Sequence, residues 1–123
     1  MIQDRSLVAI ADNTGAKVGR IFKVLGSSKK RYARIGDLVI LSVQIAEPRK
    51  SVKKKEVLQA VVVRQRAPFK RKDGSSIRFD ENAVVILEKG KKEPKAGRIF
   101  GPIPRELAEL GYQTIISRAP EVV

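Results

Sequence analysis

A mainly β domain is what this sequence predicts, on three observations. Short runs of β-branched and other apolar residues recur along the chain, each ended by turn-forming residues. One of these runs alternates strictly with period two. Only one stretch carries the punctuation of a helix.

The elements follow in order. Leu7 to Ala11 reads as a strand that ends in the turn Asp12-Asn13-Thr14-Gly15. Val18 to Leu25 is the next strand. Asp37 to Ala46 is the clearest: Val39, Leu41, Val43 and Ile45 share one face, and Leu38, Ile40, Ser42 and Gln44 the other. Val57 to Arg66 and Ala83 to Leu87 are rich in β-branched residues. Between them, Asp73-Gly74 suits a hairpin turn and Asp80-Glu81-Asn82 a loop. Pro104 to Gly111 reads as a short helix, with Pro104 in the first turn, Leu107 and Leu110 as one apolar edge, and Gly111 as the C-terminal cap. Tyr112 to Ile116 is expected as a last short strand. Phe22, Phe79 and Phe100 are expected in the core.

The 123 residues suit a single domain, 1–123, and 42% hydrophobic residues are enough for a modest core. The chain has neither Cys nor His. That excludes disulfides, thiolate or imidazole metal sites, a cysteine nucleophile and a histidine general base, so no enzyme and no cofactor are expected. Met1-Ile2-Gln3-Asp4 resembles no targeting segment, and no apolar run approaches the roughly 20 residues of a membrane span. The expected compartment is the cytoplasm or an organelle interior.

Charge is the outlier, with 26 Lys and Arg against 13 Asp and Glu. It is also unevenly placed. Residues 27–35, 47–56, 64–73 and 89–98 carry +4, +3, +4 and +4, which leaves −2 of the net +13 for the rest of the chain. Mixed charges would solubilise a small domain equally well, so such an excess points to a polyanionic partner. A membrane surface would call for a basic amphipathic helix, and the single expected helix has one Arg and two Glu. Nucleic acid is favoured. Candidate phosphate contacts in these segments are Lys29, Lys30, Arg31, Arg34, Arg49, Lys50, Lys53, Lys54, Lys55, Arg64, Arg66, Lys70, Arg71 and Lys72, with Arg78 just beyond. Aromatic residues are only 5%, so phosphates and the shape of folded RNA are the expected targets rather than base sequence. Tyr32 and Phe69, inside basic loops, are the candidates for stacking on a base.

Motifs of catalysis are weak. Ser27-Ser28-Lys29-Lys30 and Ser51-Val52-Lys53-Lys54 fit Ser-x-x-Lys only by chance in basic loops. Asp73, Asp80 and Glu81 form a poor magnesium site, and no phosphate-binding loop or dinucleotide fingerprint is present.

A longer pattern runs through residues 60–86: Ala60-Val61-Val62-Val63, then Asp73-Gly74, Phe79, Asn82 and Val85-Ile86. It resembles the signature of the family of large-subunit ribosomal protein fourteen, of bacterial or organellar type. Three further blocks agree: Ala11-Asp12-Asn13-Thr14-Gly15-Ala16; Arg98-Ile99-Phe100-Gly101-Pro102 continuing to Arg105-Glu106-Leu107; and Ala119-Pro120-Glu121-Val122. The resemblance covers the whole chain. It implies a small five-stranded closed β-barrel with a β-ribbon and a short C-terminal helical element. It also implies a structural role in the large subunit. There the family binds large-subunit ribosomal RNA, bridges to small-subunit RNA, packs beside large-subunit ribosomal proteins three and nineteen, and is docked by the ribosome-silencing factor. No small-molecule substrate and no membrane are implied. By position, Arg64, Arg66, Lys70, Arg71 and Arg78 resemble the family's RNA-facing residues, and Lys53, Lys54 and Lys55 its basic loop. The subunit-interface or silencing-factor face corresponds to Gly97, Arg98 and Thr114, and here the chain departs from the family. Gly97 stands where Thr is usual, and Thr114 where a basic residue is usual.

Two other functions compete with this one. A free barrel-type module binding single strands would want more aromatic residues. A metal-dependent nuclease would have to use the acidic residues near Asp80.

Overall fold

Side chains of period two and short polar turns fold this chain into strands that close on themselves. The computed structural model describes residues 2–3, 5–25, 32–50 and 52–123. The closed barrel consists of β2 (Leu7–Ile10), β3 (Ala16–Val24), β5 (Leu38–Ala46), β6 (Val57–Arg64) and β9 (Ala83–Ile86), in that order. Neighbours are antiparallel except at the seam, where β2 and β9 pair in parallel with Ala9 opposite Ala83 and Ile10 opposite Val84. Closure satisfies the edge strands. Outside the barrel, β1 (Ile2–Gln3) pairs with β4 (Tyr32–Ala33), and β7 (Phe69–Lys70) with β8 (Ser76–Ile77) in a ribbon. The ribbon turns at Asp73-Gly74, as its sequence predicts; the Gly74 amide donates to the carbonyl of Arg71.

The core has two layers. Val8, Ile10, Ile21, Val39, Leu41, Val43, Ala60, Val62, Val84 and Ile86 fill the barrel. Val61, Val63, Val85 and Leu87 point the other way, into a second cluster with Ile99, Ile103, Leu107, Tyr112 and Ile115. Strands buried on both faces need continuous apolar runs, which is why β6 and β9 read Ala-Val-Val-Val and Ala-Val-Val-Ile whereas β5 alternates. Each such valine or isoleucine contributes roughly 1.5–3 kcal/mol by leaving water.

The second cluster is roofed by the C-terminal segment. It comprises β10 (Pro102–Ile103), α1 (Glu106–Glu109), α2 (Gln113–Arg118) and β11 (Glu121–Val122), with β10 and β11 parallel. The expected strand at Tyr112–Ile116 is corrected to helix. Gly111, at φ +94°, ends α1: its amide reaches the carbonyl of Ala108, and that of Tyr112 the carbonyl of Leu107. The reversal turns the chain back over the barrel, where Tyr112 and Ile115, three residues apart, are buried on one helical face. Packing against β6 and β9 overrides the β propensity of Thr-Ile-Ile.

Three smaller expectations also change. Phe22 and Phe100 are about half exposed, because Ile21 and Ile99 before them take the inward positions, and Phe79 is half-buried. Ile45 is exposed at the irregular end of the β3–β5 pairing. Leu110 leaves the apolar edge and lies over Gly36, about half exposed.

Candidate nucleic-acid interface

The barrel positions its cations by anchoring the connections between strands. In the β5–β6 connection, Val52 is fully buried and its amide donates to the carbonyl of Thr14. The turn beyond it is held at both ends: the Glu56 carboxylate accepts the Lys53 amide (3.1 Å), and the Lys55 amide donates to Val43. Arg49, Lys50, Lys53, Lys54 and Lys55 are left exposed on a pinned backbone. Arg49 and Lys55 even adopt left-handed φ of +68° and +70°, a conformation non-glycine residues hold only when their surroundings impose it. Such a loop presents charge with little further ordering needed on binding.

The ribbon does the same for a second group. Arg66, Lys70, Lys72 and Arg78 are exposed on or beside it. At the tip, the Asp73 carboxylate accepts from the Ser75 amide and hydroxyl, which holds its pKa below the usual carboxylate range. Arg34 is exposed next to β4, its amide donating to Asp37. The third segment carries exposed Lys89, Lys91, Lys92 and Arg98 around the Leu87–Pro94 bridge. Lys92 is partly engaged, donating to Leu110 and lying over the Tyr112 ring. Lys29, Lys30 and Arg31 lie outside the described residues.

Two predicted contacts face inward. Arg64 is 6% exposed: Nη1 donates to the carbonyls of Phe100 (2.9 Å) and Pro102 (3.1 Å), and Nη2 pairs with Glu81 at 3.2 Å. Burial lowers its pKa from the usual guanidinium range, and Glu81 opposes that shift. Arg71 grips Glu106 of α1 and a backbone oxygen of Val123, with its side chain 11% exposed. Both tie the C-terminal segment to the barrel and ribbon. Sequence position could not distinguish them from Arg66 and Lys72, since only the covering segment makes the difference.

Exposed cations outside the basic segments include Arg20 and Lys23, on the outer wall of β3. They stand singly in a strand, outside any basic run. Arg20 could have been found from strand alternation, since it precedes the inward Ile21.

At the predicted interface face, Arg118 of α2 reaches back to the carbonyls of Pro94 and Ala96 and so joins the helix to the segment before Gly97. Gly97 is exposed, Arg98 lies over the Phe100 ring, and Thr114 is half-buried in α2. Of the three acidic residues, Asp80 and Glu81 line one cleft and Asp73 another; Glu81 engages Arg64, and Asp73 engages Ser75.

Beneath the Asp12-Asn13-Thr14-Gly15 turn lies a buried carboxylate. Asp12 accepts from the Thr14 amide and hydroxyl and from the Ile86 amide (2.9 Å), locking the turn to β9. Burial pushes its pKa above the ordinary 3.8 against the pull of these donors.

Fold and surface together define a small basic β-barrel protein with an apolar core and exposed cations on the connections between its strands. The whole chain, residues 1–123, matches the model of the family described as ribosomal protein L14p/L23e. The chain belongs to that family, and its role is that of a structural protein of the large ribosomal subunit. The closed five-stranded barrel implied by the sequence resemblance is the observed fold.

Proposed function

We propose that this protein holds large-subunit ribosomal RNA through Arg34, the 47–56 connection and the ribbon. The carrying observation is that the four basic segments concentrate the chain's net charge, and that nine of their predicted contacts, with Arg78 just beyond, stand exposed without a carboxylate partner among the described residues. These are Arg34, Arg49, Lys50, Lys53, Lys54, Lys55, Arg66, Lys70, Lys72 and Arg78. Lysines on an anchored turn and guanidinium forks along a ribbon suit phosphates crowded by RNA folding. Arg64 and Arg71 act within the fold and support this surface indirectly.

The face of Gly97, Arg98 and Thr114 lies at the subunit interface, contributes to a bridge with small-subunit RNA, and receives the ribosome-silencing factor. Ribosomal proteins three and nineteen are its large-subunit neighbours. Support for these finer assignments is the family resemblance of the blocks around Arg98 and Ala119.

Cosedimentation with large subunits through high-salt gradients tests residence. Recovery only in the ribosome-free fraction defeats the proposal. Charge reversal at Lys53, Lys54 and Lys55 is expected to lower subunit assembly; an unchanged yield removes that loop from the interface.

A further inference from the structure

One cleft on this cationic surface brings two aromatic rings together. A cavity of about 350 Å³ lies between β4 and the 65–70 segment. Tyr32 and Arg34 line it from one side, and Gln65, Pro68, Phe69 and Lys70 from the other. Tyr32 is 43% exposed, Phe69 is half-buried, and Arg34 and Lys70 are exposed at the rim. The remaining aromatic residues are placed otherwise. Tyr112 is buried and Phe22 lies on the outer barrel wall, while Phe100, with Arg98 over its ring, and Phe79 are each the single ring of another cleft.

The walls are fixed by built contacts. The Gln65 side chain accepts the Ile35 amide (3.0 Å) and donates to the Ala67 carbonyl (2.9 Å), so one buried amide joins the β4 side to the loop leading into β7. On the ribbon, Phe69 pairs across to Ile77, and on the other side Tyr32 pairs to Gln3. The cleft therefore exists before anything enters it.

We infer that this cleft takes a single unpaired nucleobase, stacked on Tyr32 and Phe69 with its flanking phosphates on Arg34 and Lys70. The inference rests on the RNA-binding reading proposed above and adds a recognised element to it. A base inside a helix offers no free face to a ring, whereas a bulged or looped base does. The cavity volume falls at the small end of ligand pockets, which suits one planar heterocycle and excludes a duplex. Two cations at the rim complement the phosphodiesters on either side of a splayed nucleotide.

The test uses the full chain and naked large-subunit ribosomal RNA in filter binding at 50 mM salt. Tyr32→Leu and Phe69→Leu each remove a ring and keep apolar bulk, and each is expected to weaken binding about 5- to 150-fold, the range of one base–aromatic stack. The salt dependence stays that of the parent, since no charge is lost. Tyr32→Phe keeps the ring and binds as the parent. Leu variants that bind within twofold of a tightly binding parent overturn the stacking cleft and leave RNA binding standing. A parent without preference for ribosomal over unrelated RNA overturns both. Should a Leu variant unfold, ultraviolet crosslinking of the unaltered chain in the intact subunit decides: a crosslink from Tyr32 or Phe69 to an unpaired nucleotide supports the cleft, and crosslinks confined to other residues refute it.

Discussion

Arg64 looks from its position like an RNA contact, yet the structure makes it a tie for the C-terminal segment; Arg64→Met separates the two roles. Methionine keeps the length and apolar stem of the side chain and removes the donors. Two carbonyls, of Phe100 and Pro102, then lose a charged donor. Such bonds are worth about 1.5–3 kcal/mol each. The pair with Glu81 adds little, roughly 0–1 kcal/mol, because the Glu81 side chain is 55% exposed and screened by solvent. Against the loss stands the relief of a buried cation whose Nε has no partner among the described residues. The net destabilisation is about 2–4 kcal/mol. In a chain of this size each kcal/mol moves the unfolding midpoint by about 3–5 °C. Thermal unfolding followed by circular dichroism is therefore expected to shift down by about 6–20 °C. Amide exchange should accelerate first in residues 99–123. Arg66→Met, at an exposed position, is the control, with a stability change within about 0.5 kcal/mol. An Arg64→Met protein as stable as its parent, and weaker in RNA binding than Arg66→Met, would refute the argument.

Three further outcomes are expected. With ten exposed cations as the upper limit and about six engaged as the lower, RNA affinity should fall about 10³- to 10⁵-fold between 50 and 200 mM salt; a loss under tenfold in filter binding contradicts phosphate contact on this scale. Gly101 has φ +77°, and an added Cβ would lie 2.2 Å from Arg64 Nη1, so Gly101→Ala should destabilise by about 3–5 kcal/mol in urea unfolding, and a loss under 1 kcal/mol means that the guanidinium yields freely. The Asp12 pKa is raised in the folded state, so the native protein holds this proton more tightly than the unfolded chain. Its contribution therefore declines as pH rises above 3.8 and levels off beyond the folded value. The stability gap between the parent and Asp12→Asn should narrow over that interval in parallel urea titrations; a widening gap reverses the assignment.

Much of the architecture was legible before any coordinates. The β-branched runs of β2, β3, β5, β6 and β9 marked the five barrel strands, because period-two and continuous apolar patterns follow directly from burial on one face or two. The absence of Cys and His is read from composition and the clustering of charge from residue order, and together they pointed to a polyanionic partner. Family motifs then implied closure of the barrel. What remained for tertiary structure was every choice between equivalent residues. Arg64 and Arg66 differ by two positions and read alike, but the C-terminal segment folds over one and leaves the other in solvent. Tyr112 to Ile116 has strand propensity and becomes helix, since its apolar faces must meet β6 and β9 after the reversal at Gly111. Tyr32 and Phe69, far apart in sequence, line one cleft whose two walls are joined by Gln65. Composition and periodicity are local quantities that a chain carries with it; burial and neighbourhood are created when distant segments pack.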